Sequence, residues 1–597
     1  MIKYSITLSE DKMDAIINAR IKEWSSAPYD KETIDEIKAL IDAGNEKELA
    51  DRFYRDLEFG TGGLRGILGA GTNRMNIYNI KKVTQGLANF ILSHNGAEQG
   101  VVIGRDSRIQ SDRFAEAAAG VMIANGIRVH YYDDIHPTPT VSFAIRHLKA
   151  ICGIMITASH NPKEYNGYKV FWDDGAQVTP PYDDEIIAEV GKITSLSQVK
   201  SMEFCMALSS PVFRIIDQTV DPIYLSKVKE LSIHPEIIPD APVKICYSPL
   251  HGTGYKMVPL ALTAYGFRDI VMVKEQSIPD GTFPTAPRPN PEELGAMQLG
   301  MEYAKKTNAD VFIATDPDAD RIGALIRKKN GEYLLLNGNQ IATLLVYYIA
   351  SELKNTGKMP KNPRMVSTIV TTDLIFAIAE SFGVKTYSTL TGFKWIGLIT
   401  RGFEKTGETF VFGCEESHGY NAAEFVRDKD AVNAACLFAE MTAFYSSKGL
   451  SVADVLDDIY KEFGYYRESQ VSITMKGMDG AEKINALMDS LRSDAPKKVG
   501  QLDTLKVTDV QESTVKDLAS GAVTPLDLPK SNVIWLTLSD RAKVVARPSG
   551  TEPKIKFYFT TYGKSSADPI EKVKSDTDAA HETLKKDFLS ILGLQEG

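Results

Sequence analysis

The feature that most constrains the fold of this chain is a rhythm: short β-branched runs alternate with stretches of helical periodicity, and the alternation starts afresh three times. In the first series GVVIGRD (100–106), IRVHYYD (127–133) and ICGIMIT (151–157) read as strands. SDRFAEAAAGVMIANG, between the first two, reads as a helix closed by Gly126. The second series opens at VKICYSPLHGTG (243–254) and runs through DIVMV (269–273) and DVFIATD (310–316). The third comprises RMVSTIVTTD (364–373), KTYST (385–389) and TFVFG (409–413). Such alternation calls for three successive α/β units. Past residue 465 the rhythm changes: VSITM, VIWLTL, KVVARP and IKFYFTT are strands among less regular helices, and a long helical pattern closes the chain. The expected fold is therefore α/β, with three similar α/β domains of mixed sheets plus a C-terminal α+β domain. The expected boundaries are 1–212, including a charged helical lead-in at 9–56, then 213–327, 328–460 and 461–597. At about 150 residues per domain, 597 residues agree with four.

Composition narrows the partners. With 43% hydrophobic and 24% charged residues the chain is that of a globular protein, and a net charge of −10 argues against nucleic acid or an anionic membrane. The five cysteines have no C-x-x-C spacing, so neither a zinc site nor a disulfide framework is indicated, and a reducing cytoplasm fits. The start, MIKYSITLSEDKMDAI, lacks the apolar core of a signal peptide. The longest apolar run, 341–350, is too short to span a bilayer.

Polar clusters follow several of the apolar strands, which is where open α/β sheets place ligands. The first is Thr157-Ala-Ser159-His160-Asn161-Pro162, followed by Tyr165-Asn-Gly-Tyr-Lys169. Ser159 could be a nucleophile in the charged surroundings of His160 and Lys169, or equally a helix cap before a Pro-stiffened turn. It is not a G-x-S-x-G elbow. The second cluster, Asp316-Pro-Asp318-Ala-Asp320-Arg321, sets three carboxylates at alternate positions, which suits a hard divalent cation such as Mg2+ or Ca2+; a solvated acidic turn competes with that reading. Strand-D-x-D is also the pattern of haloacid-dehalogenase-type phosphatases, but here Asp320 stands where their Thr is expected. Arg547-Pro-Ser549-Gly550-Thr551 can clamp phosphate, or simply turn between two strands. Glu415-Glu416-Ser417 can bind vicinal sugar hydroxyls or be solvated acids. Phe59 to Gly66, a Gly-rich loop carrying Arg65, lacks the Lys-Ser/Thr ending of a P-loop.

Together and in this order, the clusters resemble the α-D-phosphohexomutase superfamily, which includes phosphoglucomutases and phosphomannomutases. The resemblance runs from Phe59 to Phe557 and is carried most specifically by TASHNPKEYNGYK and DPDADR. HGTG at 251–254, Thr391-Gly392-Phe-Lys394-Trp and CEESHGY are similar to the phosphoglucomutase and phosphopentomutase branch.

The resemblance implies four domains around a central cleft, with one active-site loop from each. It implies that Ser159 is the phosphoserine and that Asp316, Asp318 and Asp320 hold Mg2+ with a phosphoserine oxygen. Arg65, His160, Lys169 and Arg321 would line the reacting phosphate, with Lys169 suited to proton transfer. Glu415 and Ser417, with the Thr391-Gly392-Lys394 loop, would contact the sugar. Arg547, Ser549, Gly550 and Thr551 would hold the other phosphate. Many relatives read E-x-S-G-H where this chain has Glu-Glu-Ser-His-Gly, so His418 is assigned no general-acid role.

The expected activity is interconversion of glucose 1-phosphate and glucose 6-phosphate through glucose 1,6-bisphosphate, with mannose phosphates as further substrates. A pentose-phosphate mutase and a Mg-dependent sugar phosphatase are the alternatives. Expected partners are small sugar phosphates only, for a cytoplasmic monomer or homodimer.

Overall fold

The alternation becomes sheet order in the computed structural model, which describes residues 10–58, 63–475, 480–549, 554–564 and 568–595. The chain divides into two compact units, Met1–Leu325 with Gly397–Lys405 and Gly419–Glu440, and Ile326–Ile396 with Thr406–His418 and Met441–Gly597.

In the first unit the charged lead-in forms three helices, Glu10–Trp24, Lys31–Asp42 and Glu46–Phe53. Their apolar faces bury Trp24, Ile37, Leu49 and Phe53 in a small core, in which Trp24 stacks on Tyr29 at 4.3 Å. A six-stranded sheet follows, in the spatial order Gly63–Ile67, Tyr165–Trp172, Cys152–Ile156, Val101–Arg105, Val129–Tyr131, Phe213–Ile215. The last four are parallel and the first two antiparallel, so the sheet is mixed. Of its central strands, Cys152–Ile156 is buried at every position and Val101–Arg105 at all but Arg105, as expected when helices cover both faces. A second sheet sets Ile270–Met272, Ile245–Ser248 and Val311–Thr315 in parallel, with Ile322–Arg327 beside the last.

The second unit contains the parallel strands Lys385–Thr389, Pro363–Thr368 and Thr409–Glu415. It also contains an antiparallel sheet in the order Tyr465–Thr474, Lys554–Gly563, Lys543–Pro548, Ile534–Leu538, Leu502–Asp509, Thr514–Asp517, Val523–Pro525. The helices Gly480–Ser493 and Ile570–Ile591 bury Met488, Leu491, Phe588 and Leu589 against it. Among the described residues, no helix is long and apolar enough to cross a membrane.

The late segment Gly419–Glu440 closes the first unit with buried acids. Glu440 accepts hydrogen bonds from the Ile233 and His234 N–H groups at 2.7 and 3.0 Å. Asp430 accepts from the Tyr224 hydroxyl at 2.8 Å and from the N–H groups of Val432 and Asn433, capping the helix Ala431–Ser447. Burial pushes the Asp430 carboxyl up to about 6, against these donors, which favour its charged form. The folded chain thus binds this proton more tightly than the unfolded chain, so the stabilisation is full below about pH 4 and is lost as the pH rises through 6. From a 3.8 reference the change is on the order of 3 kcal/mol. The expected result is that Asp430→Asn gains stability relative to the parent between pH 4 and 6.5. A urea-midpoint difference that stays constant over that range would contradict it.

Candidate active site

Parallel pairing sets Arg105 opposite Ile156, so the loops beginning at Asp106 and Thr157 leave the sheet side by side. Ser159 lies in the second loop, 3% exposed and with a left-handed backbone (φ 54°). Its N–H donates to Thr157 Oγ1 at 2.8 Å. Its hydroxyl donates to Asp316 Oδ2 at 2.9 Å and lies 3.2 Å from His160 Nδ1. Burial, then the nearby Arg321 and Arg65, hold the His160 imidazole well below its ordinary range, so it is neutral beside the serine. Tyr165 to Lys169 opens the strand Tyr165–Trp172, with Lys169 paired to Met155 across the antiparallel ladder. Gly167 is required there, since a Cβ would stand 2.4 Å from the Thr157 carbonyl oxygen. Arg65, on the neighbouring strand, reaches Asn161 Oδ1 at 3.4 Å.

The buried strand Val311–Thr315 delivers the acids. Asp316 Oδ1 accepts the N–H groups of Asp320 and Arg321, both at 3.0 Å, which curls the loop so that an oxygen from each of Asp316, Asp318 and Asp320 falls within 4.8 Å of the others. The HGTG segment supports the curl from outside: Thr253 N–H donates to the Pro317 carbonyl at 2.8 Å, and a Cβ on Gly252 would lie 2.4 Å from Pro317 Cα.

All three acids are at most 1% exposed. Lys169 Nζ donates to Asp318 Oδ2 at 2.7 Å and to Asp320 Oδ2 at 3.1 Å, and Lys429 Nζ stands 3.2 Å from the latter. Burial and then the two neighbouring acids push the Asp316 carboxyl well above the carboxylate range. Burial would do the same to Asp320, but Lys169, Lys429 and Arg321 outweigh it and hold that group low. Burial likewise opposes a charge on Lys169, yet Asp318 and Asp320 keep its ammonium more basic than usual.

Among the described residues, two oxygens of these acids, Asp318 Oδ1 and Asp320 Oδ1, are buried without a hydrogen-bond partner. Such atoms are costly unless something else satisfies them. A hard divalent cation fits, because the ligand set is oxygen only and three carboxylates leave part of its sphere to a phosphoryl oxygen.

In the second unit, Glu415 ends the strand Thr409–Glu415, and its Oε1 accepts the Gly392 N–H at 2.7 Å. The Thr391–Lys394 turn and the acidic loop are thereby joined. Glu416 is turned elsewhere, to the hydroxyls of Thr368 and Thr371, each at 3.3 Å. The Glu416 carbonyl oxygen would be 1.9 Å from a Cβ on Gly338, so the loop rests on the glycine that opens the helix Gly338–Asn355. Lys394 lies over the Trp395 ring at 4.9 Å, and Ser417 is half-buried. Arg547 pairs with Lys556 across the antiparallel ladder, and Ser549 N–H donates to Lys554 O at 2.7 Å. Gly550 and Thr551 lie outside the described residues.

Sequence reasoning missed three residues at the first unit's site. Lys429 binds Asp428 as well as Asp320 and is 8% exposed, although its RDKD context reads as a solvated charge run. Thr138 donates to Asp318 Oδ2 at 2.7 Å from a helix start that carries no motif. Arg108 lies under the serine loop; the available signal was its place directly after a buried strand, in GRDSR.

A serine and three acids at the ends of buried parallel strands define an α/β protein with a metal-competent acidic loop. The chain matches the phosphoglucomutase/phosphomannomutase alpha/beta/alpha domains I, II and III over residues 56–197, 222–330 and 337–463. It is 35% identical to a phosphoglucomutase of Staphylococcus saprophyticus over 88% of this chain and 94% of that one. It is 33% identical to a human phosphopentomutase, with 96% of each covered. A solved Paramecium structure, the phosphoglucomutase parafusin in its open form, shares the fold at a TM-score of 0.65 and 17% identity, over 91% of this chain and 97% of that one. The chain belongs to the phosphoglucomutase/phosphomannomutase family of the α-D-phosphohexomutase superfamily and is a mutase of the isomerase class, in a family that depends on metal.

Proposed function

We propose that this mutase is a phosphoglucomutase that interconverts glucose 1-phosphate and glucose 6-phosphate, with mannose phosphates as further substrates, and that Ser159 carries the phosphoryl group. The observation that carries the reading is the 2.9 Å hydrogen bond from Ser159 Oγ to Asp316 Oδ2, which sets a buried hydroxyl against the metal-competent acids.

In the proposed reaction the free hydroxyl of a hexose monophosphate attacks phosphorus on Ser159. The new O–P bond forms as the P–Oγ bond breaks, giving glucose 1,6-bisphosphate and a serine that regains its hydroxyl proton. The bisphosphate then returns its other phosphoryl group to Ser159. Lys169, protonated between Asp318 and Asp320, is suited to hand a proton to the departing Ser159 Oγ and to recover one from the attacking hydroxyl. Asp316, Asp318 and Asp320 would hold Mg2+, which when bound neutralises charge developing on the phosphoryl oxygens. Arg65 and Arg321 add donors for the same group, with neutral His160 beside the serine. Glu415 and Ser417, with Thr391, Gly392 and Lys394, contact sugar hydroxyls, and Arg547, Ser549, Gly550 and Thr551 hold the phosphate that is not reacting. Positioning and charge stabilisation do most of the work.

The relationship to a staphylococcal phosphoglucomutase supports glucose phosphates. The phosphopentomutase relatives favour a second reading, pentose phosphates on the same machinery. Steady-state comparison of glucose, mannose and ribose 1-phosphates, with Mg2+ and catalytic bisphosphate, separates the two. Mass spectrometry tests the carrier: the expected adduct of about 80 Da on Ser159 should disappear on adding hexose monophosphate. Net release of inorganic phosphate without such an adduct would instead favour a phosphatase.

A further inference from the structure

We infer that Arg108 is the positioning residue of the phosphoryl-carrying loop, fixing the direction of Ser159 Oγ without touching substrate; this rests on the reading of Ser159 as carrier. The loop from Ser159 to Tyr165 is wrapped around one guanidinium. Arg108 Nη2 donates to the carbonyl oxygens of Ser159 and Asn161, both at 2.5 Å. Its Nη1 donates to those of Pro162 and Tyr165, at 2.9 and 3.0 Å. Nε faces Asp106 Oδ2 at 3.2 Å, with both side chains fully buried, and the guanidinium lies over the Phe283 ring at 5.0 Å. Asp106 is fixed in turn, since its Oδ1 accepts the Arg108 N–H at 3.0 Å and the Ser111 hydroxyl at 2.9 Å.

A planar fork can donate to four converging carbonyls at once while its charge faces a carboxylate; an ammonium with three donors cannot. Ser159 needs such support, because its left-handed backbone is disfavoured for any residue with a side chain. Its own carbonyl is one of the four held, so the peptide plane next to the reacting side chain is set by Arg108. Asn161, which receives Arg65, is held by the same fork. The donors of the fork point at main-chain oxygens, which separates Arg108 from the arginines that would meet phosphate.

The test is Arg108→Lys, which keeps a charge for Asp106 but cannot bridge four carbonyls. The expected result is a fall in kcat of about 10²-fold, with KM for glucose 1-phosphate within about threefold and phosphorylation of Ser159 by glucose 1,6-bisphosphate slowed in parallel. A folded variant with near-parental kcat and only a lower Tm overturns the inference, as does a loss carried by KM. Should that variant not fold, Asp106→Asn keeps the shape and removes the charge that faces the fork. It is expected to lower kcat about tenfold at unchanged KM, and an unaltered kcat would count against the inference. Ser159→Ala, assayed alongside, separates the two failures. Retained turnover there sinks the carrier reading and this inference with it, whereas an inactive Ser159→Ala beside a fully active Arg108→Lys sinks this inference alone.

Discussion

Ser159→Ala is expected to lower turnover of glucose 1-phosphate by about 10⁴-fold or more, because the proposed covalent step loses its oxygen nucleophile. The loss should lie in kcat, and added glucose 1,6-bisphosphate should not restore it, since the phosphoryl group would have no acceptor on the enzyme. Stability should change little: the substitution removes a hydroxyl bonded to Asp316 and facing His160, and one hydrogen bond contributes about 1 kcal/mol. A circular-dichroism melt close to the parent's, together with an inactive enzyme, is the expected pair of results. Near-parental mutase activity in this variant would remove Ser159 from the chemistry.

Stripping divalent metal is the second large effect. Chelation should reduce kcat by about 10³-fold or more, with recovery on adding Mg2+, since positioned charge is the main means by which phosphoryl transfer is accelerated. The buried acids give a readout independent of activity. Asp316, Asp318 and Asp320 lie within reach of one cation, and two of their oxygens have no donor among the described residues, so a bound cation should raise Tm. Ligand at a hundred times its Kd stabilises by about 2.7 kcal/mol. Asp318→Asn should blunt that rise, while Thr138 still has an oxygen to donate to. A melt indifferent to Mg2+, with turnover indifferent to chelation, would show that the three acids hold no metal.

The strands that place Ser159 and Asp316 were legible because they are short, apolar and β-branched, and because each ends in a polar cluster. Other parts were hidden for physical reasons. Leu502–Asp509, Thr514–Asp517 and Val523–Pro525 lie toward one end of the antiparallel sheet, and with so many exposed positions they carry little alternation to read. The lysine pair that holds Asp320 comes from a strand and from a distant RDKD segment, a meeting that no local pattern announces. Arg108 is a buried cation in a sequence context that reads as a surface turn. The serine itself could not be told from a helix cap locally; its hydrogen bond to the carboxylate of Asp316, more than a domain away in sequence, is a contact that no local motif announces.

The late closure of the first unit has a consequence for synthesis. Residues up to Leu325 form most of that unit, but Asp430 for Tyr224, Glu440 for the turn at Ile233 and Lys429 for Asp320 are translated much later. At about 5–20 residues per second the wait is on the order of ten seconds. A first unit folded within that interval would hold Tyr224 without its acceptor and Asp320 short of one of its lysines. A fragment cut after the second α/β domain would remain in that condition permanently. Excision of the first unit therefore requires its returning segments to be grafted back, and while the whole chain is being made that unit cannot be completed until Glu440 has left the ribosome.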